Sequence, residues 1–154
     1  MMKIVLYRPQ IPQNTGNIAR TCAAAKTGLV LVKPMGFSLA DRYMKRAGLD
    51  YWDHVQLETI DELDLWITSG QKPVFFFSSK ATKLYTEATY PTDSVLIFGS
   101  ETEGLPEYFW KKYSDHFYTI PMSEGQRCIN LASSAAIVLY EAHRQNTFSV
   151  LKKT

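Results

Sequence analysis

Residues 94–100 read SVLIFGS and residues 73–79 read PVFFFSS, and these two stretches decide the fold class. Each contains a continuous apolar run rather than an alternation of apolar and polar residues. Such a run is typical of a strand buried on both faces of a parallel sheet, because helices cover both of its faces. We therefore predict that both stretches are strands in the middle of a parallel sheet.

The rest of the chain alternates strand-like and helix-like patterns. Further strands are predicted at residues 3–7 (KIVLY), 29–34 (LVLVKP), 54–59 (HVQLET) and 117–122 (FYTIPM). Helices are predicted at about residues 14–26, 39–48, 59–69, 106–113 and 129–145. The alternation predicts an α/β fold, a single domain over residues 1–154 with a mainly parallel sheet flanked by helices.

Residues at the helix starts suggest how the helices are capped. Asn14 or Thr15 is predicted to cap the first helix, and Thr59 with Glu62 forms a capping-box pattern before the third. Pro106 is expected at the first position of the short helix that follows it. The last helix has one apolar face, and small residues fill its first turns.

Composition excludes several classes of protein. The chain has 154 residues and a formal net charge of +2, and its pI of about 8.5 lies below the range that marks an obvious nucleic-acid binder. No apolar run is long enough to span a membrane, and the N-terminus does not resemble a secretory signal, so a cytoplasmic protein is expected. The two cysteines, Cys22 and Cys128, and the three scattered histidines show no metal-ligand spacing, so no metal site is predicted.

Ligands of parallel α/β sheets bind at the carboxyl ends of the strands, so the loops there are the candidate functional segments. The chain has no phosphate-binding loop, no dinucleotide fingerprint and no nucleophile elbow. Gly99 and Gly104 with Glu101 and Glu103 form either a ligand-binding turn or a tight turn with solvated acids. Asn14 and Arg20 are either an anion-binding pair or a helix cap and a surface arginine.

A basic stripe lies in the second predicted helix. Arg42, Lys45 and Arg46 have the spacing of one helical face, and Tyr43 and Tyr51 are close in sequence. Phosphate contact with base stacking, or a solvated charged face, would each explain this pattern.

Taken together, three segments resemble the sequence motifs of the SPOUT superfamily of RNA methyltransferases. They are IPQNTGNIAR (11–20), LIFGSETEGLP (96–106) and the segment from IPM (120–122) to RCINLASSAAIVLYEA (127–142). Residues 4–37 and the segment DRYMKRAGLDYW (41–52) resemble the compact members that methylate the ribose 2′-hydroxyl of tRNA nucleotide 34. The similarity covers nearly the whole chain.

The resemblance implies a C-terminal trefoil knot, a homodimer with its active site at the subunit interface, and a tRNA substrate. The implied cofactor is S-adenosylmethionine, which becomes S-adenosylhomocysteine, with no metal. The implied cofactor-binding residues are Phe77, Ser78, Gly99, Glu101, Gly104, Ile120, Met122, Cys128 and Leu131. Many family members have serine where this chain has Cys128.

The resemblance also implies catalytic roles. Arg20 is placed at the reacting hydroxyl, Asn14 and Asn130 orient it, and Glu101 supports the cofactor or the cation's surroundings. Arg42, Lys45 and Arg46 become expected contacts to the tRNA backbone. Two alternatives stay open: methylation of another RNA position, and a catalytically silent RNA-binding dimer of the same fold.

Overall fold

The structure, a computed structural model, describes residues 1–40 and 51–152. The strands are β1 (Lys3–Tyr7), β2 (Gly28–Val32), β3 (Leu57–Ile60), β4 (Val74–Phe77), β5 (Lys83–Leu84), β6 (Val95–Phe98) and β7 (Phe117–Thr119). The helices are α1 (Pro12–Ala24), α2 (Leu63–Gly70), α3 (Glu107–Lys112) and α4 (Leu131–Gln145). Three 3₁₀ turns occupy Trp52–His54, Tyr85–Glu87 and Ser114–His116.

All seven strands belong to one sheet, and every neighbouring pair is parallel. The strand order is β3-β2-β1-β6-β4-β7-β5. From β1 the chain moves outward to β2, whereas β6 is followed by β7 on the opposite side. The loops after the adjacent strands β1 and β6 therefore diverge at a topological switch point, where α/β sheets form their ligand clefts.

The two central strands that decide the fold are buried on both faces, as the sequence predicts. Phe75 and Phe77 of β4 point into the core beneath α1 and α4, whereas Phe76 points into the core beneath α2 and α3. Phe76 is aligned with Ile97 of β6 and with Phe117 of β7. Its ring stacks on that of Phe117, with ring centroids 4.9 Å apart. Full burial of such a ring stabilises the fold by about 1.5–3 kcal/mol.

The strands at the two edges of the sheet are less buried. In β3, Leu57 and Thr59 are exposed while Glu58 and Ile60 are half-buried, which explains why its sequence signal is weak. The two-residue strand β5 is exposed and was missed by the sequence prediction. Its two residues, Lys83 and Leu84, are too few to form an apolar or alternating pattern in the sequence, and they pair with β7.

Three predicted helix starts are wrong. Helix α1 begins at Pro12, so Asn14 and Thr15 lie inside it, and the residue before it, Ile11, forms no side-chain cap. Thr59 belongs to β3, so the predicted capping box does not form and α2 begins after Glu62. Pro106 precedes the first helical residue of α3 rather than occupying it. For α1 a tertiary contact, and for α2 the strand β3, took the place of the local pattern.

The helix predicted at residues 39–48 lies almost entirely outside the described residues, and so do Arg42, Lys45 and Arg46. The predicted last helix is confirmed as α4, and its apolar face is buried. No helix within the described ranges is long and apolar enough to cross a membrane.

Helix α4 packs beside α1 and carries one buried titratable side chain. His143 is 3% exposed, and its Nε2 lies 3.5 Å from the hydroxyl of Thr27. Burial lowers the pKa of His143, because the charged imidazolium would lose its hydration there. The neutral ring is therefore the form that the packed helix pair accommodates.

We expect the free energy of unfolding to fall as the pH drops below about 6.5, the pKa of an unfolded histidine. Between that value and the lower folded pKa, the unfolded chain binds a proton that folded His143 does not, so acid favours unfolding. Urea denaturation at a series of pH values measures this dependence.

The variant His143→Gln should show a shallower fall in stability with acid, since its side chain cannot titrate. His54→Gln, at an exposed position, is the matched control and should keep the full dependence. Identical pH profiles for these two variants would contradict the prediction.

Candidate functional site

A cleft with a volume of about 410 Å³ opens at the carboxyl edge of the sheet. The loops after β4, β6 and β7 form its walls, and Ile11 and Asn14 border it from the start of α1. Because the strands are parallel, their carboxyl ends meet at this edge, and the three motif segments converge there although they are distant in sequence.

All nine residues predicted to bind the cofactor line this cleft. They are Phe77, Ser78, Gly99, Glu101, Gly104, Ile120, Met122, Cys128 and Leu131. Further lining residues were not predicted to bind a ligand, among them Ser79, Lys80, Trp110, Thr119, Arg127, Ile129 and Ser134. Ser79 and Lys80 come shortly after β4, and Arg127 and Ile129 lie in the loop between β7 and α4, so their place in a loop after a predicted strand was the available signal. Trp110 and Ser134 lie in helices and had no such signal.

The carboxylate of Glu101 is held by the loop that follows β1. Its Oε2 accepts a hydrogen bond from the backbone N–H of Gln10 at 2.8 Å, and its Oε1 accepts one from that of Ile11 at 3.0 Å. The side-chain amide of Asn14 donates a further bond to Oε1 at 3.3 Å. A negative charge therefore satisfies backbone donors at the N-terminus of α1, the position where a helix favours an anion.

The hydrogen bonds continue from Asn14 to the third motif. Asn130 Nδ2 donates to Asn14 Oδ1 at 3.0 Å, while Asn130 Oδ1 accepts from the backbone N–H groups of Ala132 and Ser133. Asn130 is thus the N-cap of α4, with both ends of its amide engaged. The set Glu101, Asn14 and Asn130 connects all three motif segments. We call it the carboxamide chain, after the side-chain amides of Asn14 and Asn130 that form its links.

Two glycines allow the loop after β6 to fold back on itself. Ser100 and Gly104 exchange backbone hydrogen bonds of 3.0 and 3.2 Å. A Cβ on Gly99 would lie 2.6 Å from Gly104 Cα and from Leu105 N, which no side chain can tolerate. Gly104 has a φ of +67°, in the left-handed region that favours glycine. The turn therefore depends on both glycines for its backbone conformation.

Arg20 is not brought together with the carboxamide chain. It is exposed on α1, where its guanidinium carbon lies 4.9 Å from the ring centroid of Tyr51, and it does not line the cleft. Cys128 is exposed at the cleft wall. By contrast, Cys22 is buried in the core, where burial raises the pKa of its thiol to about 12.

A second depression, of about 440 Å³, lies on the other side of residues 104–110. The carboxylate of Asp64 lines this depression and accepts hydrogen bonds from Tyr108, Lys112 and Tyr113, each at 2.7 Å. The bond from Lys112 is the main reason that the pKa of Asp64 is lowered. These contacts tie α2 to α3, which gives the carboxylate a structural role.

Comparison with known proteins identifies the family of this chain. Residues 1–140 match the sequence profile of the SpoU rRNA Methylase family. The chain belongs to this family. The resemblance of the three motif segments to RNA methyltransferases is thereby confirmed.

Individual relatives are similar over nearly their full length. The tRNA (cytidine(34)-2′-O)-methyltransferase of Methylovorus glucosotrophus is 40% identical over 151 residues, covering 97% of this chain and 98% of the relative. A Synechocystis protein assigned provisionally to the same activity is 50% identical over 149 residues, covering 94% and 97%. A solved structure described as giving insight into 2′-OH methylation of C/U34 on tRNA is 41% identical, with a TM-score of 0.90 and coverage of 96% and 97%. This likeness confirms the α/β fold with a parallel sheet.

Replacing Gly99 with alanine should strain the loop after β6, because the new methyl group would overlap backbone atoms that cannot move independently. We expect the free energy of unfolding to fall by about 1–3 kcal/mol, as for overpacked cores. Gly70→Ala is the matched control, since a Cβ there would meet no atom within 4 Å. Equal melting temperatures for the two variants would show that the loop yields.

Replacing Glu101 with glutamine should also destabilise the chain. The amide would present N–H groups to backbone donors and lose the negative charge at the start of α1, at a cost of about 1–3 kcal/mol. Glu103→Gln removes the same charge from the same loop, where the Glu103 side chain is exposed. Urea midpoints that shift equally in both variants would contradict the role of Glu101.

Proposed function

We propose that this protein transfers a methyl group from S-adenosylmethionine to the ribose 2′-hydroxyl of nucleotide 34 in tRNA. The observation that carries the proposal is the convergence of the three motif segments on one cleft, in a chain 40% identical to a named enzyme of this activity. The similarity spans both chains almost completely, so no additional domain of the relative is needed to explain its activity.

The cleft fits the cofactor. Its volume of about 410 Å³ lies within the range typical of small-molecule sites. Apolar side chains, among them Phe77, Ile120 and Leu131, line it together with backbone groups of the glycine turn. A Cβ at Gly99 would collide with the neighbouring backbone of the turn that forms this wall. We propose that the nine predicted lining residues hold the cofactor there.

S-adenosylmethionine, when bound, supplies a methyl group on a sulfonium that needs no metal to activate it. The protein then has to place the ribose hydroxyl in line with that methyl group and to help remove its proton. Glu101 is an unsuitable base, because three hydrogen-bond donors already engage its two oxygens. We propose that the carboxamide chain positions the motif loops and that Glu101 does not contact the cofactor through its carboxylate.

Arg20 is the proposed residue at the reacting hydroxyl. A guanidinium is effectively never deprotonated in a protein, so Arg20 does not act as a general base. Binding the adjacent phosphate or orienting the hydroxyl uses the donors that a guanidinium has. Because Arg20 lies outside the lining of the cleft of its own chain, we propose that it serves the cleft of a second subunit.

A homodimer would bring these parts together. Ile137 and Tyr140 are exposed apolar residues three positions apart on α4, so they share one face of the helix. We propose that this face lies in the dimer interface.

We also propose that the segment from β7 to α4 forms the trefoil knot of the family. Arg42, Lys45 and Arg46 are the proposed contacts to the tRNA backbone, and the cytoplasm is the proposed location of the protein.

Mapping of 2′-O-methylation on total RNA tests the function. A strain that lacks the gene should lose the 2′-O-methyl group at position 34 of its substrate tRNAs and regain it on complementation. A normal level at position 34 with a loss elsewhere in tRNA or ribosomal RNA would replace this proposal with the alternative of another RNA target. Lack of cofactor binding in calorimetry would favour a silent RNA-binding dimer.

Arg20→Ala should abolish methyl transfer while the affinity for S-adenosylmethionine stays within about threefold, because Arg20 is proposed to act on the ribose and is not among the residues proposed to hold the cofactor. Calorimetry and single-turnover methylation measure the two quantities. A variant that keeps most of its turnover would refute the role of Arg20.

Mixed dimers test whether Arg20 acts across the interface. Arg20→Ala subunits combined with Gly99→Ala subunits, each inactive alone, should regain activity, because one of the two sites then has an intact cleft and an intact arginine. No recovery in a mixture shown to contain mixed dimers would mean that Arg20 serves the cleft of its own chain.

A further inference from the structure

Two basic side chains to which no role has been assigned so far line the cleft. Lys80 comes from the loop after β4, and Arg127 comes from the loop between β7 and α4. Both are exposed. They therefore place positive charge on two separate walls of the cleft, within the space that a ligand would occupy.

Neither charge is neutralised by a carboxylate of the described chain. The ion pairs found within residues 1–40 and 51–152 involve other basic residues, namely Lys3, Lys33, Lys111, Lys112 and Arg144. Two acidic residues also line the cleft: Glu101 is engaged by its three donors, and Glu103 forms none of these ion pairs. An anion that enters the cleft would therefore find two available cations.

The helix ends beside the cleft are already satisfied. The Glu101 carboxylate engages the backbone N–H groups that lead into α1, and the amide oxygen of Asn130 engages those at the start of α4. These termini are thus not free to bind a phosphate in the usual way. Binding of an anion here has to come from side chains, and Lys80 and Arg127 are the basic ones in the lining.

We infer that Lys80 and Arg127 bind the two phosphates that flank the methylated ribose, and so fix the target nucleotide over the cleft. This inference rests on the proposed function. In RNA, the 2′-oxygen of a ribose lies within one sugar–phosphate unit of the phosphates on both sides of that nucleotide. A 2′-hydroxyl that reaches the cofactor therefore brings both phosphates to the rim of the cleft. Arginine suits bidentate phosphate contact and lysine suits a point contact.

Binding of total tRNA at a series of salt concentrations tests the inference. Lys80→Gln and Arg127→Gln should each weaken binding by about three- to tenfold and reduce the slope of log Kd against log salt by about 0.7, the value for one lost contact to single-stranded RNA. Arg127→Lys should keep the slope, because it keeps the charge. Lys111→Gln, an exposed lysine on α3 outside the cleft lining, is the matched control and should change neither quantity.

Calorimetry with S-adenosylmethionine separates the inference from its main competitor. If these cations bind the carboxylate of the cofactor, the variants will lose cofactor affinity while the salt slope for tRNA stays unchanged, and the inference is wrong. Unchanged tRNA slopes in both glutamine variants would overturn it as well.

The binding assay does not depend on which nucleotide is methylated. Reduced slopes together with methylation at a position other than 34 would retain the phosphate contacts and refute the proposed target. Methylation at position 34 together with unchanged slopes would retain the proposed target and refute the phosphate contacts of Lys80 and Arg127.

Discussion

The hydrogen bonds of the Glu101 carboxylate are the interaction on which the functional edge of this protein depends. Strands β1 and β6 are neighbours, but the loops that follow them diverge, and backbone donors are left unpaired where α1 begins. Glu101, in the loop after β6, accepts hydrogen bonds from these donors and from the side-chain amide of Asn14. Asn14 in turn accepts a hydrogen bond from Asn130, the N-cap of α4. Because each member is both donor and acceptor or accepts several bonds, removing any one leaves a partly buried group without its partner.

The sequence was most informative where a residue pattern and its physical cause are both local. The runs at residues 73–79 and 94–100 required burial on both faces, and the structure places β4 and β6 in the middle of the sheet. Helix starts were less predictable, because the donors before α1 are satisfied by a carboxylate 90 residues away in the chain. No local rule for capping can include such a partner, so Asn14 was expected to cap a helix in which it is an interior residue.

In the candidate site, too, some residues were predictable from the sequence and others were not. The resemblance to a family named nine of the residues that line the cleft, whereas Lys80 and Arg127 were recognised as lining residues only after the loops were placed. Arg20 illustrates the reverse case, since its motif position predicts a role at the reacting hydroxyl but the fold of one chain leaves it on the surface beside Tyr51. If the proposed dimer forms, two surfaces that are incomplete alone would share the task, which makes catalysis conditional on assembly.

The ends of the sheet have a consequence for how such an assembly can form. At one edge, β5 is only two residues long, and Lys83 donates to the backbone of Asp115 at 2.9 Å. Short, lysine-bearing edge strands are poor templates for strand pairing with another chain. Growth of the sheet from one molecule to the next is therefore disfavoured at this edge. The homodimer proposed above uses the exposed face of α4, so it does not require strand pairing at this edge.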